Sequence, residues 1–503
     1  MHNPITSSTY LDSTSCYRAL CAKDNRFDGD FFVGVATTGI YCRPICRVKT
    51  PRASSCTFYP NASAAEAAGF RPCLRCRPEL APYALQQNLA YAIWQRIAAG
   101  ALNSGASMQD LADQVGLSAR QLQRLMQLHF GVSPVELAQT ARLLFAKKLL
   151  QETGLNMTEI AYASGFGSVR RFNALFLSRY GMAPGALRRS QSRDSDLITL
   201  RLAYRPPFAW DTMLDYLNTR GIGGVEATIS QGDLRCYVRS ISLQHGEQPI
   251  EGWLKVAHSA KDAQLDIQVG NQFAPVLMQL LAKIRQQFDL DANPAIIEEH
   301  LQTDPLLAQQ IRLNPGLRVP GTFNHFELAI RAVLGQQISV AGASTLAARL
   351  VQQFGTPVTT PFAAITHHFP EPGVLANVSI EHMAQIGMPN SRAATLIAVA
   401  RFADHGGFNL PPGIGLDQAV AQLKTVRGIG DWTAQYIALR ALRFSDAFPA
   451  GDLGLQKAAT PAHDLKRLSE AQLQQRVKHL SPWRGYAALL LWQSLNHPPR
   501  PTS

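Results

Sequence analysis

Two stretches of this chain repeat one pattern of apolar and polar positions. In "SMQDLADQVGLSARQLQRLMQLHFGVSP" (107–134), Leu111 and Ala112 mark a short helix, Gly116 breaks it, and Ser118 caps a second helix. Gln121, three residues after Ser118, completes a capping box. Leu122, Leu125 and Met126 then keep the helical period and leave Arg120, Gln121 and Arg124 facing outward. "MTEIAYASGFGSVRRFNALFLSRYGMAP" (157–184) repeats it, with Ile160, Ala161, Gly165 and Ser168 in the matching places and Arg170 and Arg171 near the helix start. Ser118 and Ser168 are 50 positions apart, so the pair reads as an internal duplication. Between them Ser133, Pro134 and Glu136 open a helix reaching about Gln151. At ~1.5 Å per residue it spans ~27 Å, which sets two helix-turn-helix units close to one ~34 Å turn of DNA apart.

The period then changes. "LITLRLAY" (197–204) alternates, with Ile198, Leu200, Leu202 and Tyr204 on one face of a half-buried strand. Further strands are expected at "LRCYVRSISL" and "LDIQVG", and the helix in "FAWDTMLDYLNTR" should stop at Gly221. Residues 197–315 thus predict a small α+β domain with no obvious chemistry of its own, set off from the preceding part by the linker "RRSQSRDSD" (188–196). From 316 onward the pattern is helical. In "LKTVRGIGDWTAQYIALR" (423–440) a glycine-rich turn between helices, with Gly428 and Gly430, exposes backbone N–H groups to a DNA phosphate.

Charge sharpens the picture. The net charge of +12 favours a polyanionic partner, and it is uneven: +5 over 1–100, +4 over 101–196, −3 over 197–315 and +6 over 316–503. The N-terminal stretch has no apolar core of a signal peptide and no run approaches a membrane span, so a soluble cytoplasmic protein is expected.

Seven of the eight cysteines precede residue 77, which does not suit a disulfide-stapled secreted chain. Cys42 and Cys46 (C-x3-C) and Cys73 and Cys76 (C-x2-C) supply the four thiolates of a tetrahedral zinc site. Cys16, Cys21 and Cys56 lack such a partner. Arg43, Arg47, Arg52, Arg71, Arg75 and Arg77 crowd the site, which a purely structural zinc does not require. Four thiolates on one zinc carry a net charge near −2 and are nucleophilic. Arginines and Lys49 can bring a phosphate backbone up to them. A thiolate facing a methylated phosphate is a methyl-transfer site.

"ATTGIYCRPICR" and "NASAAEAAGFRPCLRCRPE" resemble the N-terminal domain of Ada, the bacterial adaptive-response regulator, over about residues 14–90. The resemblance implies that Cys42, while bound to zinc, irreversibly accepts a methyl group from DNA methylphosphotriesters, and that Cys46, Cys73 and Cys76 are the other ligands of one zinc ion. The implied DNA contacts are Thr38, Arg47, Lys49 and Arg71, Lys49 standing where the family has arginine. The doubled helix-turn-helix (95–190) resembles the AraC-type DNA-binding domain, with Arg120, Gln121, Arg124, Arg170 and Arg171 at the DNA. Ada proteins continue into an alkylguanine methyltransferase with a PCHR motif, which this chain lacks.

Residues 197–498 instead resemble the AlkA-type 3-methyladenine DNA glycosylase II, through "YRPPFAWDTMLDYL", "RAVLGQQISVA", "GIGDWTAQYIALR", "FPAGDLGLQKA" and "WRGYAALLLW". The resemblance makes Asp452 the catalytic aspartate, Trp432, Tyr436 and Trp492 the walls receiving a flipped base, and Gln337 the wedge entering the helix gap, with Gly428 and Gly430 on DNA. A polar wedge departs from an apolar one. Bifunctional relatives carry a lysine where Trp432 stands, so a monofunctional hydrolase is implied. No cysteine follows Cys236, so the iron–sulfur ligands of some relatives are missing.

The expected architecture is multidomain and mainly α: a small α+β zinc domain with four cysteine ligands (14–90), an all-α double helix-turn-helix (95–190), an α+β domain (197–315) and an all-α helix-hairpin-helix domain (316–498). The expected function is DNA alkylation repair fused to its own regulation. Expected partners are double-stranded DNA, alkylated or promoter, and RNA polymerase, with the chain a monomer away from membranes. Two other readings stay open. One is a transcription factor whose glycosylase-like half binds DNA without cleaving; the other is a structural zinc beside a constitutive glycosylase.

Overall fold

The structure, a computed structural model, describes residues 12–82, 89–103, 105–188, 196–232, 234–460 and 466–496. It divides into two compact units, one of residues 1–205, 261–282 and 411–413 and the other of 206–260, 283–410 and 414–503. Most of the 188–196 linker lies outside the described residues. No helix among the described residues is long and apolar enough to cross a membrane.

The first unit begins with the helix Ser13–Ala22 and a four-stranded sheet. Strand Phe32–Val35 pairs antiparallel with both Ile40–Cys42 and Cys56–Tyr59. Ile40–Cys42 also pairs in parallel with Arg71–Pro72, matching Ile40 to Arg71 and Tyr41 to Pro72. This register carries Cys42 and Cys73 out of the sheet side by side.

The helices that follow obey their caps. Met108–Gln114, Ala119–Phe130, Pro134–Glu152 and Met157–Ala163 each start in a capping box, on Ser107, Ser118, Ser133 and Asn156. Ser168 caps Val169–Tyr180 through the Arg171 N–H. Gly131 and Gly181, at φ of 72° and 67°, close Ala119–Phe130 and Val169–Tyr180, the recognition helices expected of the two helix-turn-helix units, in the left-handed region that glycine tolerates. The bridging helix runs 19 residues, ending one residue beyond the expected Gln151. Strand Leu197–Ala203 pairs with Gln264–Gly270 in the same unit.

The bridging helix is keyed to the sheet of the cysteine cluster by buried polar groups. Lys147, fully buried, donates Nζ to the Cys73 carbonyl at 3.3 Å and to Glu79 at 2.6 Å. Arg77 joins Glu79 to Glu152. Glu66, 5% exposed, accepts from Tyr41 Oη and Thr140 Oγ1, both at 3.0 Å. Burial pushes the Glu66 carboxyl up to about 7, against the pull of the Thr140 and Tyr41 hydroxyls.

That shift predicts a pH dependence. The folded state keeps a proton that the unfolded chain releases from about 4.5 upward, so this group's stabilisation is complete below 4.5 and lost as pH rises through about 7. At ~1.4 kcal/mol per pH unit the swing is on the order of 3 kcal/mol. Glu66→Gln, neutral at every pH, should lack this limb. In denaturant unfolding of the zinc-loaded protein, its stability relative to wild type should rise by that amount between pH 4.5 and 7.5. Parallel pH curves for the two proteins would contradict the assignment.

In the second unit, strands Glu226–Gln231, Leu234–His245 and Gln248–Ser259 form an antiparallel meander beside the helix Trp210–Arg220, which stops at Gly221 as expected. The remainder is helical around a core that includes Ala329, Ile330, Val333, Ala393, Leu396, Ala434 and Ile437. A two-residue strand pair, Thr356–Pro357 with His367–His368, interrupts the expected all-helical stretch; it is too short for alternation to reveal. Helices Leu416–Leu423 and Asp431–Arg440 make a hairpin. At its turn Gly428 has φ +91°, and a Cβ there would lie 2.1 Å from Thr395 Oγ1, so only glycine fits.

Candidate metal centre and base pocket

The four sulfurs of Cys42, Cys46, Cys73 and Cys76 lie within 4.8 Å of one another. A tetrahedral ion with ~2.3 Å bonds to sulfur needs sulfurs about 3.8 Å apart, so the donor set fits zinc. Cys42, Cys46 and Cys73 are buried and Cys76 half-buried. The hydrogen bonds that the sulfurs exchange, those with Cys46 first for Cys42, push the Cys42 thiol up; those with Cys42 first hold the Cys73 thiol down. Such packing of four thiols calls for a cation. Lys23 Nζ braces the loop from outside, donating to the Cys46 carbonyl at 2.5 Å and Val48 at 3.2 Å.

The surrounding arginines divide into two groups, so that crowding round the cysteines is not by itself a sign of phosphate contact. Arg43 is buried, ion-paired with Asp28 (Nε to Oδ1 2.8 Å), and donates to the Cys76 carbonyl at 3.1 Å. Arg77 is held by Glu79 and Glu152. Both satisfy buried carboxylates and carbonyls rather than face solvent. Arg47, Lys49, Arg52, Arg71, Arg75 and Thr38 are exposed. Arg71 reaches the Tyr180 carbonyl at 3.5 Å, against the second recognition helix. On the recognition helices Arg120, Arg124, Arg170 and Arg171 are exposed, while Gln121, also exposed, spends its Oε1 on the Ser118 cap.

In the second unit three helices converge on Asp452. It caps the helix Leu453–Ala458, its Oδ1 accepting from the Leu455 N–H at 2.9 Å. Trp432, in Asp431–Arg440, donates Nε1–H to Oδ2 at 3.0 Å, and Trp492, in Arg484–Asn496, donates to Oδ1 at 3.0 Å. The Trp432 and Tyr436 rings stack at 5.5 Å and 11°, and Tyr436 meets Trp492 edge-on at 6.3 Å and 68°. The four residues proposed from the sequence thus form one constellation. Gln337 stands exposed at φ 55° on a loop tied to the hairpin, because Gln336 Nε2 donates to the Gly428 carbonyl at 3.0 Å and Thr433 Oγ1 at 2.9 Å. Gly430 is the N-cap of Asp431–Arg440, open to solvent.

The pocket also holds residues that the sequence reading missed. Tyr216 Oη lies 3.2 Å from Tyr436 Oη, and Arg440 Nη1 donates to Tyr436 Oη at 2.7 Å. Arg220 and Arg440 lie over the Tyr216 ring at 4.3 and 4.8 Å. Burial works to raise the Tyr436 phenol, but the Arg440 and Arg220 guanidinium groups overcome it and bring it down to about 8. The helix Trp210–Arg220 therefore contributes to the site, correcting the view of 197–315 as without chemistry. The only sequence signal was an i, i+4 aromatic–arginine pair on that helix, which surface helices also carry.

Four family profiles match the chain in order: the metal binding domain of Ada over residues 15–79, a helix-turn-helix domain over 111–190, the AlkA N-terminal domain over 199–324, and the HhH-GPD superfamily base excision DNA repair protein over 330–482. The chain is 38% identical to a probable bifunctional transcriptional activator/DNA repair enzyme AlkA of Mycobacterium tuberculosis, over 97% of each chain. It is 33% identical to DNA-3-methyladenine glycosylase 2 of Escherichia coli, over 58% of this chain and 95% of that one. A 3-methyladenine DNA-glycosylase from Archaeoglobus fulgidus shares the fold at TM-score 0.50 and 17% identity, over 59% of this chain and 98% of that structure. With the zinc-binding cysteines, the paired helix-turn-helix and the aspartate-centred pocket in this order, the chain belongs to the family of bifunctional transcriptional activator/DNA repair enzymes of the AlkA type.

Proposed function

We propose that the chain excises alkylated bases such as 3-methyladenine from double-stranded DNA and also senses alkylation through Cys42. The observation that carries the first half is the Asp452 carboxylate, flanked by Trp432 and Trp492 with Tyr436 stacked beside them. Alkylation at N3 or N7 makes a purine cationic and a good leaving group. The stacked rings attract that cation, at about 0.5–2 kcal/mol each, and the carboxylate stabilises the oxocarbenium that develops as the N-glycosidic bond breaks. No lysine stands at Trp432 to form a Schiff base, which supports simple hydrolysis. Gln337 enters the helix gap, and Gly428 and Gly430 present the hairpin backbone to phosphate.

In the first unit, Cys42, Cys46, Cys73 and Cys76 would hold zinc, which when bound would keep the sulfurs in the thiolate form. The Cys42 sulfur takes the methyl group of a methylphosphotriester: the S–CH3 bond forms, the O–CH3 bond breaks, and an ordinary phosphodiester anion is released. Thr38, Arg47, Lys49 and Arg71 hold that backbone, and Arg120, Gln121, Arg124, Arg170 and Arg171 read the promoter. Liberation of free 3-methyladenine from alkylated duplex, together with a methylated Cys42 peptide by mass spectrometry, tests both halves. A chain that binds DNA but does neither is only a transcription factor.

Methylation converts a thiolate into a neutral thioether. At ~6 Å from a phosphate and an effective dielectric near 20, one unit of charge corresponds to about 3 kcal/mol of repulsion before screening. The methylated protein should bind its promoter more tightly, with the advantage greatest at low salt. Equal affinities across a salt titration would remove the switch.

A further inference from the structure

The Asp452 carboxylate is engaged by the same rings that the proposed function assigns to the flipped base. A carboxylate offers about four lone-pair directions. Three are taken: Oδ1 accepts from the Leu455 N–H at 2.9 Å and Trp492 Nε1–H at 3.0 Å, and Oδ2 from Trp432 Nε1–H at 3.0 Å. One direction on Oδ2 remains for the reacting sugar. Stacking alone does not explain these tryptophans, since a phenyl ring also offers a π face; only the indole adds an N–H at this distance.

The donors are themselves held. Trp432 lies against Tyr436 at 5.5 Å and 11°, and Tyr436 is tied to Arg440 at 2.7 Å and Tyr216 at 3.2 Å. Gly454 leaves the carboxylate room, since a Cβ there would lie 3.0 Å from Asp452 Oδ1 and 3.7 Å from Trp492 Cδ1. The carboxylate is thus fixed from three helices, so its charge needs no reorientation when the glycosidic bond breaks.

We propose that Trp432 and Trp492 are positioning residues for Asp452, their indole N–H groups fixing the carboxylate so that one lone pair faces the sugar while their rings receive the base. This rests on the glycosylase reading above and deepens it. Base recognition and charge placement then share atoms. The rings that a base stacks against are the ones that hold the carboxylate in place.

The test uses the full zinc-loaded chain with Trp432→Phe, Trp492→Phe, and 3-benzothienylalanine at 432, an isostere in which sulfur replaces the indole N–H. Single-turnover release of 3-methyladenine is followed against enzyme concentration. Loss of one charge-assisted donor should slow the cleavage step about tenfold in each variant. Half-saturating DNA concentration should stay within about twofold of wild type. The isostere, which keeps the ring area, should behave as Trp432→Phe does. A wild-type rate in the isostere, or weaker binding with an unchanged cleavage rate, overturns the positioning role. Asp452→Asn, assayed in parallel, separates the two levels: release at the wild-type rate there would fell the glycosylase reading itself, whereas inactivity there beside unaffected tryptophan variants would fell only this proposal.

Discussion

Asp452→Asn is expected to lower release of 3-methyladenine by at least 10²–10³-fold, the usual cost of one preorganised electrostatic element in a transition state. The substitution is nearly isosteric. The amide oxygen can still accept from the Leu455 N–H and so keep the cap of Leu453–Ala458. The amide nitrogen cannot accept from an indole, so one of the bonds to Trp432 and Trp492 is lost together with the charge. Loss of the charge facing the oxocarbenium dominates. Promoter binding and the methyl transfer proposed for Cys42 fall to other segments and should be unchanged. Single-turnover base release, with promoter binding as the control, decides it. A wild-type rate would dismiss the aspartate and the mechanism built on it.

Cys73→Ser should have a comparable effect on the first unit. Bound zinc is expected at one ion per chain, and in small metal domains its binding free energy, about 10–16 kcal/mol in isolated peptides, is folding free energy. Here Cys73 follows the two-residue strand Arg71–Pro72, whose pairing with Ile40–Cys42 is too short to persist unaided. Loss of the thiolate should therefore release the metal and melt that edge of the sheet, with the Lys147 contact to the Cys73 carbonyl going with it. Metal analysis and hydrogen exchange over residues 40–76 give the readout. Cys21→Ser, an exposed cysteine outside the cluster, is the control and should keep its zinc. Full zinc occupancy in Cys73→Ser would contradict the ligand set.

The features legible in the sequence are those that act over a few residues. Ser118 with Gln121, and Ser133 with Glu136, make capping boxes because an i, i+3 hydrogen bond forms as soon as the chain turns into a helix. The cysteine pairs are legible for a related reason: C-x3-C and C-x2-C place two sulfurs on one turn whatever surrounds them. Asp452 was singled out only by the resemblance that "FPAGDLGLQKA" carries, and the structure adds that it caps Leu453–Ala458.

Partnerships across long stretches of chain were not legible. Arg43 and Arg47 look alike in sequence, but Asp28 buries the first while the second stays in solvent. Lys147 reads as one more helix-surface cation, yet it ends beneath the zinc site because the bridging helix packs there. Tyr216 and Tyr436 are 220 residues apart, and no periodicity announces that their hydroxyls meet. The caps, the ligand pairs and the domain order follow from local geometry and motif spacing and needed only the amino-acid order. Which cation is a strut and which is free, and which rings share Asp452, depended on packing. A charge or an aromatic ring is the same side chain in either role, and only the desolvation imposed by neighbours distant in sequence tells the roles apart.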